Sequence, residues 1–176
     1  TGYIVTTRGS RGGSRVSDPD ALFACWQRWM AEHHDQLADI FEFRLTVETK
    51  LAALAAKRRT DEDIEAMERA TAHERTPQDW SSLFRTDMDI HNAIAEAARS
   101  PRLKQALLQA RGELFVPVDL SQLERREHEV HHTHTAIIDA IRAGDVAAAT
   151  EHMSSHIHLV EDLIERALEA AGIPRP

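Results

Sequence analysis

The scarcity of chain-breaking residues is the feature that most limits how this chain can fold. Seven glycines and six prolines occur in 176 residues, and they lie mostly at the chain ends and at junctions between longer segments. Between those junctions, apolar residues recur at steps of three and four, which is the period of an amphipathic helix. The pattern predicts an all-α fold, an antiparallel bundle of six or seven helices, with no strand after residue 10.

The junctions separate a short N-terminal piece from the helical body. Residues 1–17 combine a β-like stretch at Tyr3–Thr7 with a Gly/Ser/Arg tract that is typical of a flexible linker. The helical domain is expected over residues 18–176, with Asp18 capping its first helix. Its segments predict seven helices, at about 21–33, 35–58, 61–74, 77–98, 101–114, 121–143 and 146–172.

Charge, cysteine content and hydropathy restrict the classes of function that are expected for this chain. A net charge of −8 argues against direct nucleic-acid binding by this chain, because duplex DNA requires a basic protein face. The single cysteine, Cys25, excludes an intramolecular disulfide and fits a reducing compartment. No apolar run approaches the roughly 18 residues of a membrane span. We therefore expect a cytoplasmic protein with no membrane partner.

Two polar residues interrupt the apolar stripe of the segment 80–98. That stripe runs through Trp80, Phe84, Ile94 and Ala98, and Asp87 and His91 occupy the two positions between Phe84 and Ile94. A carboxylate on a core-facing stripe is destabilising unless it is paired or bound to a cation. An aspartate one turn before a histidine is therefore a candidate half of a metal site.

Histidines interrupt the apolar stripes of the last two helices in the same way. His134 and His156 lie eleven residues on either side of Asp145, at the turn between these helices. Each is therefore about 16 Å along its helix from the turn, at about 1.5 Å per residue. In an antiparallel hairpin, equal height means that the two side chains can face each other inside the bundle.

Together Asp87, His91, His134 and His156 form a set of three nitrogen ligands and one oxygen ligand. This set suits a divalent transition metal, zinc first, with Ni, Mn, Fe or Co as alternatives. Each histidine alone is better explained as a hydrogen-bonded core residue, but four interruptions in three stripes favour a metal. Among the remaining histidines, His131, His132 and His152 are the closest competitors for a ligand role.

The ordered motifs resemble those of the effector-binding C-terminal (FCD) domain of FadR-type GntR transcription regulators. They are Asp-x3-His within DMDIHNAIAEAARSPRL, followed by HTAIIDAIRAGDVAAATEHMSSHI. The resemblance covers about residues 20–170, although Ser100 stands where the family usually has asparagine. It implies the same four metal ligands and makes Arg44, in Arg44-Leu-Thr-Val-Glu48, a candidate for binding an effector carboxylate. It also implies that residues 1–17 are the end of a winged-helix wing plus a linker.

The resemblance implies a ligand-sensing domain that is not an enzyme. A small organic acid would bind the metal and modulate operator DNA binding by a winged-helix domain missing from this chain, in a homodimer. The main alternative is a helical metalloenzyme that uses the same His3Asp site for hydrolysis or isomerisation, with Glu127 as the base. A purely structural metal site is a third interpretation. A di-iron bundle has less support, because only one Glu-x-x-His element occurs, Glu129–His132.

Overall fold

A computed structural model describes residues 4–9, 12–72, 80–113, 127–170 and 172–173. Within these ranges the chain forms a two-stranded hairpin followed by six helices, which confirms the predicted all-α bundle. The elements are β1 (Ile4–Thr7), β2 (Gly13–Val16), α1 (Pro19–Arg58), α2 (Asp61–Ala72), α3 (Trp80–Ala97), α4 (Pro101–Glu113), α5 (Glu127–Ala143) and α6 (Val146–Ala170).

The N-terminal hairpin corrects one prediction. The expectation of no strand after residue 10 is wrong, because β2 pairs antiparallel with β1 in a register that places Ile4 opposite Val16. Gly9 adopts a φ of 129°, and the Gly12 amide donates to the Gly9 carbonyl at 2.9 Å. The glycines that suggested a linker therefore make the turn that pairs the two strands.

The first two predicted helices are one kinked helix. α1 is continuous from Pro19 to Arg58, and its non-helical residue is His33, at φ −130° and ψ 22°. Ring nitrogen Nδ1 of His33 donates to the Trp29 carbonyl at 2.8 Å, and the two rings stack with centroids 4.7 Å apart. The polar run around His33 thus marks a bend in the helix and not its end.

The core lies where α1 packs against α3, α4, α5 and α6. Its fully buried apolar side chains include Leu51, Ile90, Ile94, Leu107, Ile137, Ile141, Met153, Ile157 and Leu168. Gly144, at φ 74°, ends α5, and Asp145 caps α6 by accepting from the Ala148 amide at 3.0 Å. This short turn makes α5 and α6 antiparallel neighbours.

Some predicted features lie outside the described residues. They include the predicted helix starts near residues 77 and 121, and the side chains of Trp80 and Phe84. None of the described helices is both long and apolar enough to cross a lipid bilayer.

Candidate metal centre

Four side chains from three helices converge inside the bundle. Asp87 and His91 come from α3, His134 from α5 and His156 from α6, and one ligand atom from each lies within 4.8 Å of the others. The three histidines are 0–2% exposed, whereas the Asp87 side chain retains 18% exposure. All four residues predicted to form the site are thus brought together.

The separations between these atoms suit a single metal ion. His91 Nε2 and His156 Nε2 are 3.0 Å apart, and Asp87 Oδ1 lies 3.2 Å from His134 Nε2. The same oxygen is 3.6 Å from His91 Nε2 and 3.8 Å from His156 Nε2. Metal–ligand bonds of about 2.0–2.2 Å place neighbouring ligand atoms about 3.0–3.5 Å apart.

A hydrogen-bond chain fixes the tautomer of His156. Thr133 donates its hydroxyl proton to the Val130 carbonyl at 2.6 Å, and the same oxygen lies 3.0 Å from His156 Nδ1. Since a hydroxyl has one proton, Thr133 must accept from His156 Nδ1. The Nε2 atom of neutral His156 therefore directs a lone pair into the cluster.

A buried carboxylate likewise determines which ring nitrogen of His91 carries a proton. His91 Nδ1 contacts Glu48 Oε2, and an ionised carboxylate can only accept, so Nδ1 carries the proton. His91 Nε2 therefore faces His156 Nε2 across 3.0 Å, a separation that requires either a proton or a metal ion between the two nitrogens. This arrangement, a histidine held by an outer carboxylate, is the usual support of a metal-binding imidazole.

Two buried arginines balance the two carboxylates. Arg44 Nε donates to Glu48 Oε1 at 2.7 Å. Arg111 Nη1 lies 3.4 Å from Glu48 Oε2, and Arg111 Nη2 donates to Asp87 Oδ2. Burial alone would raise the pKa of Glu48, but Arg44, His91 and Arg111 hold that pKa well below its ordinary value.

Burial and neighbouring charges also have opposite effects on the pKa of Asp87. Burial alone would raise its pKa, but the charges of Arg111 and His91, with hydrogen bonds from His134 and His91, keep the pKa well below its ordinary value. Burial lowers the pKa of His156 well below its ordinary value, and the nearby His134 and His91 lower it further. Asp87 therefore presents an ionised carboxylate and His156 a neutral imidazole, the protonation states that metal ligands need.

Sequence reasoning missed three residues that support the cluster. Arg111 and Thr133 carried no motif, and Glu48 was noted only beside Arg44. Of the competing histidines, His132 is exposed and His152 is half-buried, and neither belongs to the converging set. The side chains of His131, Glu127 and Glu129 lie outside the described residues.

A comparison of the chain with protein-family models agrees with this geometry. The model of the FCD domain matches residues 39–159, well over half of the chain and inclusive of all four converging residues. The chain is an FCD domain. The motif-based recognition of a GntR-type regulator domain is thereby confirmed.

Relatives of this FCD domain are named as transcription regulators. The chain is 30% identical to the HTH-type transcriptional repressor NanR of Citrobacter rodentium, over 90% of the chain and 64% of NanR. It is 26% identical to the uncharacterized HTH-type transcriptional regulator YcbG of Bacillus subtilis, over 94% of the chain and 70% of YcbG. The chain thus spans about two thirds of these relatives, whose names favour regulation over catalysis.

Solved structures share the fold. Streptococcus agalactiae GntR superposes with a TM-score of 0.62 at 21% identity, over 92% of this chain and 75% of that one. Escherichia coli McbR/YncC superposes with a TM-score of 0.63 at 15% identity, over 92% of this chain and 77% of that one. At these identities the likeness establishes the architecture alone.

Proposed function

We propose that this FCD domain senses a small carboxylic acid through a divalent metal ion held by Asp87, His91, His134 and His156. The observation that carries the proposal is the convergence of one ligand atom from each of these four side chains within 4.8 Å, in a site where all three histidines are buried. One divalent ion among these atoms would be bound by three imidazole nitrogens and one carboxylate oxygen. Zinc is the first choice for three nitrogens and one oxygen, with Ni, Mn, Fe or Co as alternatives.

The charge balance of the site favours an anionic effector. With the histidines neutral, as metal ligands must be, the negative charges of Asp87 and Glu48 match the positive charges of Arg44 and Arg111 among the described residues. A divalent ion on neutral histidines therefore adds two buried positive charges without a partner, which is costly. The bound metal supplies a Lewis acid that attracts an oxygen anion, and a carboxylate restores the balance.

Arg44 is the residue we assign to the effector. Its side chain is 3% exposed, and its guanidinium lies over the Phe41 ring at 5.3 Å from the centroid. Within the described part of the chain, its ion pair uses Nε alone. The two terminal nitrogens are then available for a carboxylate, in the paired geometry that arginine favours.

The helix that carries Arg44 connects the effector site to the segment that we assign to DNA binding. Arg44 and Glu48 lie on α1, and α1 begins three residues after the hairpin β1–β2. We assign residues 1–17 to the end of a wing and its connection, in a cytoplasmic homodimer that binds operator DNA through winged helices. A ligand changes DNA affinity only by favouring one arrangement of these parts over another. NanR is named a repressor, which is consistent with such a role.

The experiment is a binding titration with small mono-, di- and tricarboxylic acids. We expect metal-loaded protein to bind at least one of them and metal-stripped protein to bind it much more weakly. Arg44→Ala removes a charge-assisted contact of about 1.5–3 kcal/mol. We therefore expect it to weaken binding about 10–100-fold at unchanged metal content.

The matched control is Arg142→Ala, which removes an exposed arginine on α5. It should bind the acid as the unmodified chain does. Equal affinity in Arg44→Ala would contradict the role of Arg44. Equal affinity in the stripped protein would contradict sensing through the metal.

A further inference from the structure

Arg111, in the last turn of α4, contacts the candidate centre from outside the set of ligands. Its Nη2 donates to Asp87 Oδ2, its Nη1 lies 3.4 Å from Glu48 Oε2 and its Nε lies 3.0 Å from Met88 Sδ. The side chain is 5% exposed. All three guanidinium nitrogens are therefore engaged, and the group is fixed in one orientation.

The two oxygens of Asp87 face different partners. Oδ1 lies 3.2 Å from His134 Nε2 and within 3.8 Å of the other two Nε2 atoms, whereas Oδ2 is bound by Arg111. A carboxylate can bind a metal through one oxygen or through both. With Oδ2 bound to Arg111, only Oδ1 is available to the metal.

From this geometry we infer that Arg111 is a positioning residue that holds Asp87 as a one-oxygen ligand and so keeps a coordination position open for an effector carboxylate. The inference rests on the proposed function. Without Arg111, rotation of Asp87 about its Cβ–Cγ bond would bring Oδ2 within reach of a bound metal ion. The second oxygen of Asp87 would then compete with the effector carboxylate.

The chemistry of arginine explains why this residue type is required. Its planar fork reaches Asp87 and Glu48 at once, whereas a lysine ammonium is a point charge on a flexible stem. Glu48 does not depend on Arg111 alone, because Arg44 Nε binds its other oxygen at 2.7 Å. The loss of Arg111 is therefore expected to release Asp87 more than Glu48.

Cobalt(II) provides the test, because its visible absorption weakens as its coordination number rises. Three metal-stripped proteins are compared: the unmodified chain, Arg111→Met and the control Arg142→Met. Each is titrated with Co²⁺ and then with acetate. Arg142 is likewise shared by two carboxylates, Glu68 and Asp139, but on the exposed surface. We expect Arg111→Met to give weaker Co²⁺ absorption and to need about 10–100-fold more acetate for the same spectral change. Arg142→Met should match the unmodified chain.

The outcomes separate the two claims. An unchanged Co²⁺ spectrum with unchanged acetate response in Arg111→Met would overturn the positioning role and leave the metal proposal standing. Failure of the unmodified chain to bind Co²⁺ would overturn the metal proposal and this inference with it. If circular dichroism shows that Arg111→Met is unfolded, Arg111→Lys decides by the same criteria, since it keeps the charge but loses the fork.

Discussion

Glu48 organises the candidate centre without being one of the converging ligands. One carboxylate binds Arg44 at 2.7 Å, lies 3.4 Å from Arg111 and accepts the Nδ1 proton of His91. Sequence reasoning found Arg44 and Glu48 as neighbours on one helix turn. It did not find this role, because the spacing within α1 does not reveal which residues of α3 and α4 lie opposite.

Glu48→Gln should strongly destabilise the metal-free protein. The substitution leaves two buried guanidinium groups without their shared counter-charge, and breaking a buried ion pair in this way costs about 3–5 kcal/mol. Urea unfolding followed by circular dichroism measures the change. Glu65→Gln is the control, because Glu65 forms an exposed pair with Arg69 on α2 and should have little effect. Equal losses in the two variants would contradict the importance of the buried network.

At the scale of elements, the α5–α6 hairpin was the most predictable part of the site. Gly144 and Asp145 mark the turn locally, and the constant rise of a helix then fixes His134 and His156 at equal heights. Arg111 was not predictable in this way, since its partner Asp87 lies 24 residues away on a different helix. The second strand was missed because glycines in a tight turn and glycines in a linker look alike.

Gly144→Ala tests the hairpin. A side chain at φ 74° is strained by about 1–2 kcal/mol, and a Cβ there would lie 2.8 Å from Nη2 of Arg59. Gly172→Ala is the matched control, with φ 80° but no atom within 4 Å of the added Cβ. Thermal unfolding should show a larger loss of stability for Gly144→Ala. Equal losses would contradict tight packing of Arg59 against the turn.

At the scale of the whole molecule, the bundle encloses a polar centre whose protonation affects folding. The lowered pKa of His156 means that the unfolded chain takes up its proton first as the pH falls. The lowered pKa values of Asp87 and Glu48 act in the same direction at lower pH. In each case the unfolded state binds more protons, so stability rises with pH.

The stability of metal-stripped protein should therefore fall in two stages on acidification. The first stage begins near the ordinary histidine pKa of about 6.5, and the second lies below about pH 4.5, where the unfolded carboxyl groups protonate. Each added proton contributes a slope of about 1.4 kcal/mol per pH unit. Urea unfolding from about pH 8 down to about pH 3 measures both stages, and His156→Gln should reduce the first stage. A flat profile between pH 7 and pH 5 would contradict burial of neutral His156.

The most direct test of the centre as a whole is the amount of metal that the chain binds. Metal-stripped protein is titrated calorimetrically with Zn²⁺, and bound metal is verified by elemental analysis. We expect one ion per chain in the unmodified protein and in His158→Ala, whose exposed histidine lies two residues from His156 on α6. His156→Ala should lose most of this binding. Absence of binding in the unmodified chain, or equal binding in His156→Ala, would contradict a metal centre at these four residues.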